Sequence, residues 1–354
     1  MFKKKDHLVG LDIGSSLIKA AELKKTGKGL VLKKFGITKT PPDAISEGRV
    51  KDVDSLSAAI KGLFKANKIK EKNVAIATGG YSVVIKTISV SKEHEDNLQN
   101  YIFSEAEQYI PYDISDVNID YQVLGESEFS SEQLNVLLVA VKKDLVAQYI
   151  DIAGKAGLTP SIIEVDTFAY QNIFEANNPE ETEDISLLVD VGVSKTSLNV
   201  LKGTRSLMMR DNSSGTSQIA EEIMAEADCT EEEAENILAG TAGTDPEAIP
   251  EDRLNDIIDE VTANWCAGVF DVVNTYRTNI NEGDIKRVYL TGGGSQVNGF
   301  ADTLSRGLET DVTTFDPFAK VAVNNKQFQT FTIEQSAPLA AIAMGLALRE
   351  MDDK

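Results

Sequence analysis

Apolar positions along the chain follow two periods, and the change from one to the other marks out the elements. His7 to Ile13 and Leu17 to Leu23 are strand-like runs separated by Gly14-Ser15-Ser16, which predicts a β-hairpin with a glycine in its turn. The same design returns at Ile185 to Val191 and Thr196 to Leu201, around Gly192-Val193-Ser194. Between the hairpins, Leu56, Ala59, Ile60, Leu63 and Phe64 recur at helical spacing within Ser55 to Asn67, while Asn73 to Thr78 and Val83 to Val90 read as strands. His94 to Tyr109 reads as a helix stopped at Pro111, followed by strands at Val117 to Leu124 and Leu134 to Val141 and a helix at Asp144 to Ala156. In the second half, Thr216 to Ala227 and Glu231 to Leu238 predict short helices and Arg253 to Ile280 one long helix. Arg287 to Thr291 predicts a strand that runs into three glycines, with a helix-like segment at Val297 to Leu308. Ala337 to Leu348 is mostly apolar, with Pro338 placed to start a helix, and is too short to span roughly 30 Å of hydrocarbon.

The two hairpins share the pattern Asp-aliphatic-Gly-x-Ser, as Asp12-Ile13-Gly14-Ser15-Ser16 and, 178 residues later, Asp190-Val191-Gly192-Val193-Ser194. Half a chain is too long a period for a solenoid, so the repeat predicts two related lobes, each opening with the same hairpin. The length of 354 residues also exceeds what one hydrophobic core usually supports. The expected fold class is α/β, two-lobed, with a small α+β insert in the first lobe. The expected division gives residues 1–90 to the first lobe, with 159–184 and 337–354 returning to it. Residues 91–158 form the insert and 185–336 the second lobe, including a helical subdomain at about 212–280.

Composition narrows the partners. Basic residues number 35 against 56 acidic, a formal charge of −21, which repels a nucleic-acid backbone. The acidic runs Glu180 to Asp184 and Glu231 to Glu235 read as solvated faces. Two cysteines, Cys229 and Cys266, and two histidines, His7 and His94, give neither a disulfide framework nor a zinc spacing, which fits a reducing cytosol. Met1-Phe2-Lys3-Lys4-Lys5 is basic but lacks the apolar run of a secretory signal.

Chemistry concentrates at the turns. Glycine lets each hairpin turn aim successive backbone N–H groups at a phosphate, and Ser15 and Ser16 add hydroxyl donors. Asp12 and Asp190, each two residues before its turn glycine, would face each other across the lobes and hold a hydrated Mg²⁺. One Asp-x-Gly turn is an ordinary feature; two matched copies are a signal. Gly292-Gly293-Gly294-Ser295 allows close approach of a base or phosphate, or is simply a tight turn, and matches neither the Walker A pattern nor a dinucleotide fingerprint. Glu164 and Asp166 would orient a water toward a terminal phosphate, or serve as acids at a helix N-terminus. Lys19 would pair with phosphate or stand as a solvated lysine, and Trp265 is expected in the core.

These hairpins and the later glycine loop resemble the phosphate-1, phosphate-2 and adenosine elements of the actin, Hsp70 and sugar-kinase superfamily. Three stretches resemble the PilM family of type IV pilus proteins in particular: Gly10 to Ser16, Glu105 to Gly125 with its Tyr109-Ile110-Pro111-Tyr112, and Leu138 to Pro160. The resemblance covers nearly the whole chain. It implies an actin-like fold of four subdomains that binds ATP, with an insert like that of FtsA. It implies as partner the cytoplasmic N-terminal segment of PilN, with the pilus motor ATPases and platform protein as further contacts. The protein would then be cytoplasmic, reaching the inner membrane through a partner. Carried over residue by residue, Asp12, Gly14, Ser15, Ser16 and Lys19 form the first phosphate element, and Asp190, Gly192, Ser194 and Thr196 the second. Gly292, Gly293, Gly294 and Ser295 form the adenosine element, and Asp166 holds the water-positioning place. Asp166 is shorter than the Glu or Gln common there, which implies slow hydrolysis. Asp211 to Gly215 replaces the paired glycines of relatives, which weakens the expected base and ribose contacts there.

Two other classes compete. A small-molecule kinase of the same superfamily would use a carboxylate base against the γ-phosphate. An FtsA-like membrane filament would carry a terminal amphipathic helix, whereas Leu346 to Lys354 is short and acidic.

Overall fold

The computed structural model describes residues 7–46, 48–127, 130–180, 183–239, 249–324, 328 and 330–351. The basic start Met1 to Lys5, part of the acidic run at 180–184, and Asp352 to Lys354 lie outside the described residues.

Two sheets carry the fold, and they are built to one plan. In the first, Gly29–Lys39 pairs antiparallel with Leu17–Thr26, which pairs antiparallel with Val9–Ile13; Asn73–Thr78 and Thr159–Val165 then extend the sheet in parallel. The short strand Val321–Ala322 adds to the far edge. In the second, Arg205–Asn212, Thr196–Lys202 and Ile185–Val191 form the antiparallel part, and Ile285–Thr291 and Asp311–Thr314 extend it in parallel. The sequence repeat is therefore a repeat of topology. It reaches beyond the hairpin to the third strand of each lobe, which the alternation of Gly29–Lys39 and Arg205–Asn212 is too irregular to announce.

Both faces of each sheet are covered, so the hairpin strands alternate poorly and read as aliphatic runs. On the outer face of the first, Val9, Leu11, Ile18 and Ala20 pack against the helices Val53–Ala66 and Lys143–Lys155. On the outer face of the second, Leu187, Val189, Leu198 and Val200 pack against Ser217–Ala227, the long helix Glu251–Asn279 and Phe300–Leu308. Trp265 lies in that core, its Nε1–H donating to Gln218 at 3.0 Å and its ring edge-on to Phe300. The inner faces meet a shared layer of two helices, Asp166–Asn177 and Thr330–Leu346, with Leu23, Leu32, Leu188 and Tyr289 in one cluster with Phe174 and Met344. Small residues let this layer close. A Cβ on Gly10 would fall 2.0 Å from the Ala343 carbonyl, and one on Gly345 1.7 Å from that of Ala169.

A separate three-stranded sheet runs Val83–Ser91, Ser130–Lys142, Val117–Ser127, with the helix Leu98–Glu105 against it. This helix is shorter than the periodicity predicts. Ser91 caps a 3₁₀ turn at Lys92–Asn97, whose polar residues bury nothing, and a second 3₁₀ turn at Ala106–Gln108 ends the segment before Pro111. The last helix departs from expectation too: it begins at Thr330, so Pro338 lies inside it rather than starting it. Similarly, the helix after the triple glycine begins at Phe300, behind a 3₁₀ turn at Gly293–Gln296.

Candidate functional site

The first turn is closed by Gly14 N–H donating to the Leu17 carbonyl at 3.0 Å and is held from outside by Thr40, whose hydroxyl donates to the Gly14 carbonyl at 2.7 Å. These bonds leave the Ser15 and Ser16 N–H groups without a protein acceptor among the described residues. Asp12 and Lys19 are direct cross-strand neighbours, which sets both side chains on one face of the sheet. The Lys19 ammonium accordingly lies 2.9 Å from Asp12 Oδ2, both largely buried.

The second turn repeats the first in backbone. Gly192 N–H donates to the Lys195 carbonyl at 2.9 Å, and the Val193 and Ser194 N–H groups have no protein acceptor among the described residues. The turn's own carbonyls are taken by the following helix: Thr216 N–H donates to Gly192 and Ser217 N–H to Val193. Gly215 fits beneath them, since a Cβ there would fall 2.3 Å from the Val193 carbonyl. The Thr196 hydroxyl donates to the Ser214 carbonyl at 2.8 Å and so holds the loop that carries Gly215.

The glycine loop stands beside Asp190. Gly292 has φ of +82°, and a Cβ on it would fall 2.4 Å from Asp190 Oδ1. Its N–H and the Thr291 hydroxyl both donate to the Pro338 carbonyl, at 2.7 and 2.6 Å, which anchors the loop on the last helix. Gly294 packs on Val191, and the Ser295 hydroxyl turns inward to the Gly292 carbonyl at 2.7 Å. Gly293 alone of the three faces open space.

Asp166 opens its helix, and its Oδ1 accepts the Thr167 N–H at 2.7 Å. Its Oδ2 lies 2.7 Å from the ammonium of Lys195, which is also 3.1 Å from Asp211 Oδ2. Asp211 accepts the Gly80 N–H at 3.2 Å as well. Burial raises the Asp166 carboxyl, against the lowering effect of Lys195; for Lys195, burial acts downward, but Asp166 and Asp211 outweigh it and raise it, so it stays charged. Asp190 is pushed up to about 7, first by burial and then by the negative charge of Asp166 and Asp12, with Lys195 and Lys19 opposing. Tyr149 is pushed up to about 12 by burial and by the same two aspartates. Glu164 is engaged elsewhere: its Oε1 accepts from Arg349 at 2.8 Å and from Asn172 at 3.1 Å.

Asp12, Lys19, Asp166 and Asp190, drawn from both halves of the chain, thus meet electrostatically between the two turns. Lys195, Asp211, Gly79 and Gly80 belong to the same place; the sequence marks Asp211 only as part of a departure from the relatives' paired glycines and gives no sign of the other three. Lys195 sits within the second repeat, but its first-lobe counterpart by alignment is Leu17, so the motif did not flag it.

The profile of the type IV pilus assembly protein PilM family matches residues 10–351. Among solved structures, the PilM-PilN type IV pilus biogenesis complex contains a chain that is 27% identical, with a TM-score of 0.87 over 99% of this chain and 100% of that one. The ethanolamine utilization protein EutJ from Carboxydothermus hydrogenoformans is 15% identical with a TM-score of 0.55, covering 97% of this chain and 89% of that one, and shares the fold. Among the described residues no helix is long and apolar enough to cross a membrane. With a family match over nearly the whole length and a duplicated two-sheet architecture to accompany it, the chain belongs to the PilM family of type IV pilus assembly proteins.

Proposed function

We propose that the chain is a cytoplasmic ATP-binding scaffold of a type IV pilus platform, and that it binds the cytoplasmic N-terminal segment of a PilN-type membrane protein. The observation that carries the partner is the full-length likeness to the chain in the PilM-PilN complex. In this reading the segment docks beside the insert expected at 91–158, whose sheet includes Val83–Ser91 and whose last helix, Lys143–Lys155, packs on the first lobe, and contacts with motor ATPases and a platform protein extend the same role.

The residues fit the nucleotide. Ser15, Ser16, Val193 and Ser194 offer four N–H groups that no described protein acceptor takes, two from each lobe, which is the donor set a polyphosphate between the turns needs. Gly293 supplies open backbone beside Asp190 for the nucleoside end. Asp12 and Asp190 are oxygen donors suited to Mg²⁺ through its waters; among the described residues no group of three acidic, histidine or cysteine side chains would ligate a metal directly. A cation there would also relieve the crowding of negative charge that raises Asp190. The kinase reading has less behind it, because Asp166 and Glu164, the carboxylates on which a base would draw, are bound to Lys195 and Arg349.

Nucleotide binding would bias partner affinity through the shared helix layer, with a coupling free energy of about 1–3 kcal/mol. Calorimetric titration of a synthetic PilN-type N-terminal segment, with and without Mg-ATP, tests both halves. Saturable binding that shifts about fivefold or more with Mg-ATP is expected at that coupling. Absence of binding in either state would remove the scaffold reading.

A further inference from the structure

Lys195 has no ligand role in that reading, yet two lobes close on it. Asp166 follows the last parallel strand of the first sheet, and Asp211 lies on the edge strand of the second. The ammonium 2.7 Å from one and 3.1 Å from the other therefore ties lobe to lobe. The first lobe contributes twice more. Gly80 N–H donates to Asp211, and Gly79 packs so tightly that a Cβ there would fall 2.1 Å from Asp166 Oδ2 and 2.6 Å from Lys195 Nζ. The lysine side chain is only 24% exposed.

This tie sits at the phosphate end of the cleft. Lys195 follows Ser194 directly, and its carbonyl closes the second turn. Two buried hydroxyls close to this tie in the chain, one in each lobe, have no hydrogen-bond partner among the described residues. Ser197 Oγ, in a residue 4% exposed, has no hydrogen-bond partner among the described residues and stands cross-strand between Asp190 and Asp211. Thr78 Oγ1, in a residue 3% exposed, has none either and precedes Gly79. Such atoms are costly to leave unmade in a native interior. Charge restricts what enters: among the described residues Asp12, Asp166, Asp190 and Asp211 are met by two cations, Lys19 and Lys195, so a bare polyphosphate is repelled where one carrying a divalent cation is not.

We propose that Lys195 is a phosphate ligand that doubles as the latch between the lobes. Without phosphate, Asp166 and Asp211 neutralise it and hold the lobes together at this point. A cation-loaded nucleoside triphosphate exchanges one anionic partner of the ammonium for another, freeing Asp166 and the Gly79-Gly80 segment. A buried charge is never left unpaired along that path, which keeps the exchange low in cost. The inference rests on the nucleotide-binding reading and adds to it the residue that senses the phosphate and the direction of the movement.

Hydrogen exchange read by mass spectrometry over the segments containing Gly80 and Val193-Ser194, together with Mg-ATP calorimetry on the full chain, tests it. Mg-ATP is expected to speed exchange at Gly80 and slow it at Val193 and Ser194. Lys195→Met should weaken Mg-ATP about tenfold, the loss of one charge-assisted contact, and give fast Gly80 exchange without nucleotide. Asp211→Asn loosens the latch and leaves the phosphate ligand, so it should tighten Mg-ATP about threefold, the weaker end of what a single hydrogen bond contributes. That opposite sign keeps the inference falsifiable even if Lys195→Met folds poorly. Mg-ATP binding to the unaltered chain with Gly80 exchange unchanged, and to Asp211→Asn with equal or lower affinity, would overturn the latch and spare the nucleotide reading. No Mg-ATP binding to the unaltered chain, in calorimetry and in exchange at Val193-Ser194, would overturn both.

Discussion

Across from Asp12 in the first hairpin stands Lys19, with its ammonium 2.9 Å from the carboxylate; across from Asp190, at the same register of the second, stands Ser197, with a hydroxyl that meets no partner among the described residues. The backbones of the two hairpins agree down to the turn bond from glycine N–H to a carbonyl three residues on, at 3.0 and 2.9 Å. The duplication therefore preserves what the backbone does and lets side chains diverge. In the first lobe a lysine neutralises its own hairpin's acid. In the second, the lysine has moved to position 195, reaches out of its hairpin to Asp166 and Asp211, and leaves Asp190 raised to about 7. The first lobe's lysine serves its own hairpin's acid, whereas the second lobe's is shared between Asp211 of its own lobe and Asp166 of the other and offsets Asp190 only in part.

The sharpest way to break the symmetry of backbones is at Gly10. Its counterpart is Leu188, since Gly10 pairs with Ala21 and Leu188 with Asn199 at matching register. Leu188 is buried in the shared layer, but the last helix crosses the first lobe so closely that a Cβ on Gly10 would lie 2.0 Å from one backbone atom and 2.7 Å from another. Gly10→Leu, which copies the second lobe into the first, should cost about 4 kcal/mol or prevent folding, because backbone cannot yield as a side chain can. An unaltered urea midpoint would contradict the close crossing. Next in size is Lys19→Ser, which gives the first hairpin the pair found in the second. Asp12 then loses its partner in a largely buried place, and a loss of about 2–3 kcal/mol is expected at pH 8. A loss below about 0.5 kcal/mol would mean that Asp12 is solvated like a surface carboxylate.

What was legible in the sequence divides along the same line. The hairpins, the lobes and the family follow from local patterns: aliphatic runs, a glycine turn and an Asp-x-Gly-x-Ser repeat. Asp12, Asp190 and Asp166 were found because they sit inside or beside those patterns. Thr196 and Ser295 are placed in the phosphate and adenosine elements by resemblance, and the structure adds that their hydroxyls donate to loop carbonyls at 2.8 and 2.7 Å, contacts that local sequence does not announce. The grouping of Lys195 with Asp166, Asp211 and Gly79 is not legible locally, because it joins residues from separate strands and from both halves of the chain. Pro338 misled for a related reason: its place inside a helix is fixed by the carbonyl it offers to Thr291 and Gly292, and local rules for proline carry no trace of that contact.

Asp190→Asn tests the uncompensated lobe with a sign that the pH must follow. The carboxyl ordinarily titrates near 3.8 and in the fold at about 7, so between those values the folded chain holds a proton that the unfolded chain has released. Stability contributed at this position therefore falls as pH rises through that window, is fully reduced above about 7, and is unaffected below 3.8. Asparagine removes the charge and keeps the shape. The variant should match the unaltered chain near pH 3.5 and exceed it by about 1–2 kcal/mol at pH 8, a value set below the full shift because part of the side chain meets solvent. Urea midpoints measured at both pH values, without nucleotide or divalent cation, read the difference directly. A gap that fails to open with pH would show that Asp190 is already compensated, most simply by Lys195, and the contrast between the hairpins would then lie in geometry rather than in charge. Repeating the alkaline measurement with Mg²⁺ present sharpens the result: the cation stabilises the unaltered chain if it meets the Asp190 carboxylate and does nothing for the variant, so the gap should narrow.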